Sequence, residues 1–189
     1  MEPDCITSTL SVEDSPLMAE KATVRTRESS TAGRSLHLID ADNVIGDPRT
    51  TDRRTIAAAF DAYRLAADYQ LGDHVIIATG CNGLHVLEVE LAWPGVQHRR
   101  RSGPDGADLE LLEAADFAAS SGRYDRVVIG SGDRIFMVAI ANLRARSIDV
   151  DVVARYGHLA KAMKLQAGGR VRYIDSRVAR PFGDEPHAA

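Results

Sequence analysis

The chain has 189 residues, of which 44% are hydrophobic and 26% charged, with 15 glycines and 7 prolines. That content supports one domain of ordinary size and excludes collagen-like and wholly disordered classes. The net charge of −4 conceals a neutral middle: residues 1–35 hold six acids and four bases, 181–189 two acids and no base, and 36–180 nineteen of each, so the basic excess of a constitutive duplex binder is missing.

Residues 1–35 are rich in Ser, Thr, Glu and Pro without apolar periodicity, which predicts a disordered N-terminal tail. They lack the apolar core of a secretory signal. No uncharged apolar run in the chain reaches the roughly 18–20 residues of a membrane span. The two cysteines, Cys5 and Cys81, form neither a zinc spacing nor a disulfide framework. These features together predict a cytoplasmic protein with no membrane partner.

Leu36 to Ile39 is a short apolar strand ending at Asp40. Thr55 to Tyr69 has Ile56, Phe60, Tyr63 and Ala67 at helical spacing. Val75 to Ala78 is a second strand. Leu84 to Leu91 fits helix or strand, and its place in the series favours helix. Val96 to Arg99 predicts a third strand before the turn Ser102–Gly106. Asp108 to Ser120 is helical, and Val127 to Ile129 is a buried strand running into Gly130-Ser131-Gly132-Asp133. Ile135 to Arg146 predicts a helix, Ile148 to Val153 a strand, His158 to Gln166 a helix, and Val171 to Ile174 a last strand. Strands alternating with helices imply crossovers, hence a three-layer α/β/α, Rossmann-like domain with a mainly parallel sheet over residues 36–178. Residues 179–189 form a second tail.

In an open parallel sheet the loops leaving the carboxyl ends of the strands build the binding crevice. The first strand ends in Asp40-Ala41-Asp42-Asn43, the later one in Ser131-Gly132-Asp133, and Gly106-Ala107-Asp108 opens a long helix. Clustered carboxylates repel one another, and a divalent cation offsets the repulsion. Oxygen donors select Mg²⁺ or Mn²⁺, and the His and Cys spacing does not suggest zinc. A hard ion held by Asp40, Asp108 and Asp133 points to phosphoryl chemistry. Each aspartate also has an ordinary role open to it: Asp108 and Asp133 as helix N-caps, Asp40 and Asp42 in a turn.

The strings Leu38-Ile39-Asp40-Ala41-Asp42-Asn43, Gly106-Ala107-Asp108 and Val128-Ile129-Gly130-Ser131-Gly132-Asp133 together resemble the NYN domain, a PIN-like nuclease family. The likeness spans about residues 36–175. It implies a PIN-like fold and metal-dependent RNA cleavage, with Asp40, Asp108 and Asp133 as catalytic metal ligands and Asn43 orienting Asp40 or a water. The chain departs from the pattern at Ile135, where an acid is common, and at Ala114, where a helix acid is expected. Asp42 is a candidate further ligand, since side chains two apart on an extended segment share a face.

Arg99, Arg100 and Arg101, with Ser131, are candidate contacts to the phosphates of RNA, whether single-stranded or structured with flexible segments; a solvated loop is the ordinary reading of the arginines. Arg53 and Arg54 read as surface charges. His37, His85, Cys81, Trp93, Phe117 and Phe136 read as packing residues, and the low aromatic content gives little sign of base stacking. The resulting expectation is an endoribonuclease leaving a 5′-phosphate. One alternative is a degenerate NYN module that binds RNA or a protein without cleaving. Another is a haloacid-dehalogenase-like phosphatase, suggested by Asp40–Val44 and Thr79 but lacking a lysine between Thr79 and Asp133 and an acid at Met137. Oligomeric state is not readable.

Overall fold

The computed structural model describes residues 33–46, 52–80 and 83–174. Of the predicted tails only residues 33–35 fall within them; the rest of both tails, residues 175–178 of the predicted domain and Cys81 lie outside the described residues. Six strands, β1 (Ser35–Asp40), β2 (His74–Gly80), β3 (Gln97–Arg101), β4 (Arg126–Gly130), β5 (Asp149–Arg155) and β6 (Val171–Ile174), form one sheet. Their order is β3-β2-β1-β4-β5-β6, and every neighbouring pair is parallel. Helices α1 (Ala41–Ile45), α2 (Arg53–Ala67), α3 (Gly83–Ala92), α4 (Gly106–Ser121), α5 (Met137–Ala145) and α6 (Lys161–Gln166) supply the crossovers. The result is a three-layer α/β/α, Rossmann-like fold.

The two-residue side-chain period of a strand explains the two cores. Leu36, Leu38, Ile76, Val127 and Ile129 face one side with Leu111, Phe136, Ile140 and Leu143. Ile39, Val75, Ile77 and Val128 face the other with Ile56, Phe60, Tyr63 and Trp93. Strands covered on both sides therefore read as unbroken apolar runs. Each fully buried Leu, Ile or Phe stabilises the fold by about 1.5–3 kcal/mol. Ala114, Ala115 and Ala118 let α4 lie close to the sheet.

Several local expectations are corrected. The segment after Asp40 is not extended: it turns at once into α1, so Asp40 and Asp42 do not share a strand face. The third strand runs to Arg101, which makes the arginine triplet an edge strand and not a loop. The predicted helix from Ile135 begins as a 3-10 turn, Arg134–Phe136. The predicted helix from His158 starts only at Lys161. Phe117 is not core; it is 54% exposed on the outer side of α4. Among the described residues no helix is long and apolar enough to cross a membrane.

Candidate functional site

The chain reverses its direction of sheet growth between β1 and β4, the place where a parallel α/β sheet opens a crevice at its carboxyl edge. Asp40, the last residue of β1, lies at this point and is 4% exposed. It caps α1: the backbone N–H groups of Asp42 and Asn43 donate to its Oδ1 at 3.1 and 3.3 Å. Asn43 Nδ2 donates to Oδ2 at 2.6 Å, and Ser131 Oγ donates to the same oxygen at 3.4 Å. Asn43 also accepts from the Gly132 N–H at 3.4 Å, and so ties the β1 edge to the β4 loop. Burial pushes the Asp40 carboxyl above its ordinary value, against the pull of the Asn43 hydrogen bonds.

Asp108 sits in the first turn of α4 but does not cap it. The residue in the cap position is Asp105, which makes no side-chain capping bond. Gly106 passes so close to the Arg101 carbonyl that any side chain there would collide with it, and this contact seats the start of α4 against β3. Oδ1 of Asp108 is buried and has no hydrogen-bond partner. Burial first, then the charges of Asp40, Asp133 and Asp105, push its carboxyl up to about 7. Asp133, exposed beyond β4, does act as a cap: its Oδ1 accepts from the Ile135 N–H at 3.2 Å.

The three predicted aspartates thus meet at one edge and repel one another, Asp108 bearing the cost. They are not assembled as a ready coordination sphere, and among the described residues no group of three His, Cys, Asp or Glu side chains is. A carboxylate has about four lone-pair sites, and Asp40 already accepts four hydrogen bonds. A cation there would have to displace one, and the Ser131 contact, at 3.4 Å, is the longest. The unpartnered Asp108 oxygen fits either a proton or a hard cation, and the all-oxygen donor set suits Mg²⁺ or Mn²⁺.

Asp42 is turned aside. Its Oδ1 lies 3.1 Å from His85 Nε2 on α3, which sequence reasoning assigned to packing alone. His85 is indeed buried, and its contact with Asp42 was not legible because nothing local links α3 to α1. Ser131 is 1% exposed; besides donating to Asp40, its Oγ accepts from the Asp133 N–H at 3.2 Å. The arginine triplet is engaged by acids: Arg99 with Glu110, Arg100 with Glu90, and Arg101 with Glu113 at 2.8 Å. A charged edge strand also resists pairing with another sheet, which is a sufficient structural reason for Arg99–Arg101. Arg53 pairs with Glu88 in the same manner.

One part of the edge had no signal in the sequence. A cavity of about 390 Å³ opens beside the acids, lined by Asn43, Asp133, Arg134, His158 and the backbone of Gly132 and Gly157. Compared with protein-family models, with curated proteins and with solved structures, the chain shows no match.

Proposed function

We propose that the chain is a metal-dependent endoribonuclease of the NYN type, with Asp40, Asp108 and Asp133 holding one Mg²⁺ or Mn²⁺. The single observation that supports this is the half-buried Asp108 carboxyl, raised to about 7 by burial and by two other strand-edge acids, with an oxygen that nothing in the protein satisfies. Structural caps do not need such a group, whereas acids with perturbed titration cluster at functional sites.

A bound ion would supply Lewis acidity toward a phosphate oxygen and a more acidic water. The remaining work falls to the chain itself. Asn43 fixes the Asp40 carboxylate and, through Gly132, the spacing between the β1 and β4 edges. Near neutral pH the Asp108 carboxyl of the free protein is only partly ionised, and engaging the carboxylate releases the remaining proton. Ser131 bonds both Asp40 and the Asp133 backbone, so movement of its hydroxyl frees an Asp40 lone pair.

The full hydrogen-bond complement of Asp40 favours a second reading, a module of the same type that binds RNA without cutting it. Incubating the purified protein with Mn²⁺ and labelled RNA, beside Asp40→Asn, tests the first reading. Cleavage by the parent and loss of at least about a hundredfold in the variant are expected. Equal cleavage by both proteins refutes it. No cleavage, together with no Mn²⁺ uptake by calorimetry in the millimolar range, leaves the binding module.

A further inference from the structure

Besides Asn43 and Asp133, which belong to the acid site, the cavity is lined by two residues that the cleavage chemistry does not use, Arg134 and His158. Arg134 is exposed, and no carboxylate among the described residues pairs with it. The arginines of β3 and the cluster of Arg126, Arg170 and Arg172 around Asp151 are all engaged in ion pairs. A guanidinium left unpaired beside a phosphoryl-transfer site presents a planar set of donors suited to a phosphate. His158 faces the same space from the turn after β5.

The two walls are held by backbone. The Ala160 N–H donates to the Gly132 carbonyl at 3.0 Å. Gly132 also runs so close to the His158 carbonyl that a side chain at 132 would collide with it. The spacing of the two backbone segments that carry Arg134 and His158 is therefore set by the fold.

Just beyond the cavity the surface becomes aromatic. Tyr156, which precedes Gly157, is 81% exposed, and its ring lies 5.6 Å from that of Tyr173, itself 38% exposed. Lys161 and Lys164 are exposed on the adjacent α6. A guanidinium and an imidazole that can meet a phosphate, followed by exposed aromatic faces and further cations, are what a single strand offers partners for, one unit after another. A duplex hides its base faces and would leave the tyrosines unused.

We propose that this cavity is the subsite for a phosphate adjoining the scissile one in single-stranded RNA, bound by Arg134 and His158, with Tyr156 stacking the neighbouring base. The assignment rests on the nuclease or RNA-binding reading of the acid cluster and extends it to substrate class and direction along the surface.

The test is fluorescence anisotropy with a short labelled oligouridylate in EDTA, so that no cleavage intervenes, and with the same RNA annealed to its complement. Arg134→Glu should weaken single-strand binding about tenfold or more and lower the slope of log affinity against log salt by about one. Tyr156→Ala should weaken it about fivefold or more, and Arg134→Lys, which keeps the charge but loses the planar donor set, should weaken it less than Arg134→Glu does. Both residues are exposed, and unchanged circular dichroism certifies the fold. Unaltered affinity in Arg134→Glu, absence of RNA binding in the parent, or preference for the duplex overturns the proposal. Loss of binding in Arg134→Glu when the parent never cleaves refutes the nuclease alone, whereas cleavage by the parent with binding indifferent to Arg134 and Tyr156 refutes the subsite alone.

Discussion

Replacing Asp108 by asparagine keeps the shape of the side chain and removes its charge. In the free protein that charge is a liability. The carboxyl is raised from its ordinary 3.8 to about 7, so the folded state holds a proton that the unfolded chain releases. Below pH 3.8 both states are protonated and nothing is lost. Between 3.8 and 7 the folded state becomes progressively less stable relative to the unfolded, and above 7 the full penalty is present. The displacement corresponds to a ceiling of about 4 kcal/mol. Asp108 is only half-buried and borders an open crevice, so solvent screening reduces this to about 1–2 kcal/mol. For a chain of this size that is a rise in Tm of roughly 2–8 °C. Thermal unfolding in EDTA should therefore show Asp108→Asn more stable than the parent at pH 8 and equal to it near pH 4. Adding Mn²⁺ at pH 8 should raise the Tm of the parent and leave the variant nearly unmoved, because the ion offsets a carboxylate charge that asparagine lacks. A variant no more stable than the parent at pH 8, or a difference that does not change with pH, would refute the electrostatic account of the site.

Two further outcomes follow from the packing beneath the site. Asp151, 6% exposed, is bound by Arg126 at 2.7 Å; Arg126→Ala should cost about 3 kcal/mol in chemical denaturation, near the lower end for a broken buried pair because Arg172 stands 3.6 Å away. His37 is fully buried between Tyr63 and Asp73, and burial holds its imidazole below its ordinary 6.5. The folded state thus resists a proton that the unfolded chain accepts, and in an Asp108→Asn background stability should fall as pH drops below 6.5, a decline that His37→Asn should flatten in Tm against pH.

Much of the architecture is written locally. The runs Leu36–Ile39, Val75–Ala78 and Val127–Ile129 are apolar on both faces because both faces of the sheet are covered. Asp40 and Asp133 could be placed at the ends of strands for the same reason. The sequence was a poorer guide where neighbours compete for one side chain. Asp108 looks like a cap, yet Asp105 takes that position and leaves Asp108 facing other acids. Asp42 looks like a companion of Asp40, yet the start of α1 directs it to His85. Arg99–Arg101 looks like a free basic loop, yet glutamates from α3 and α4 reach it.

By itself the sequence determined the strand and helix alternation, the parallel sheet and the acids that end its strands, because side-chain period and turn chemistry act over a few residues. Only the tertiary structure decided that β4 lies against β1 while β3 moves to the far edge, which brings Asp108 and Asp133 to Asp40 and puts Arg134 and His158 on one cavity. Strand order depends on how crossovers pack on the two faces of the sheet, and contacts between residues so distant along the chain leave no periodic trace in it.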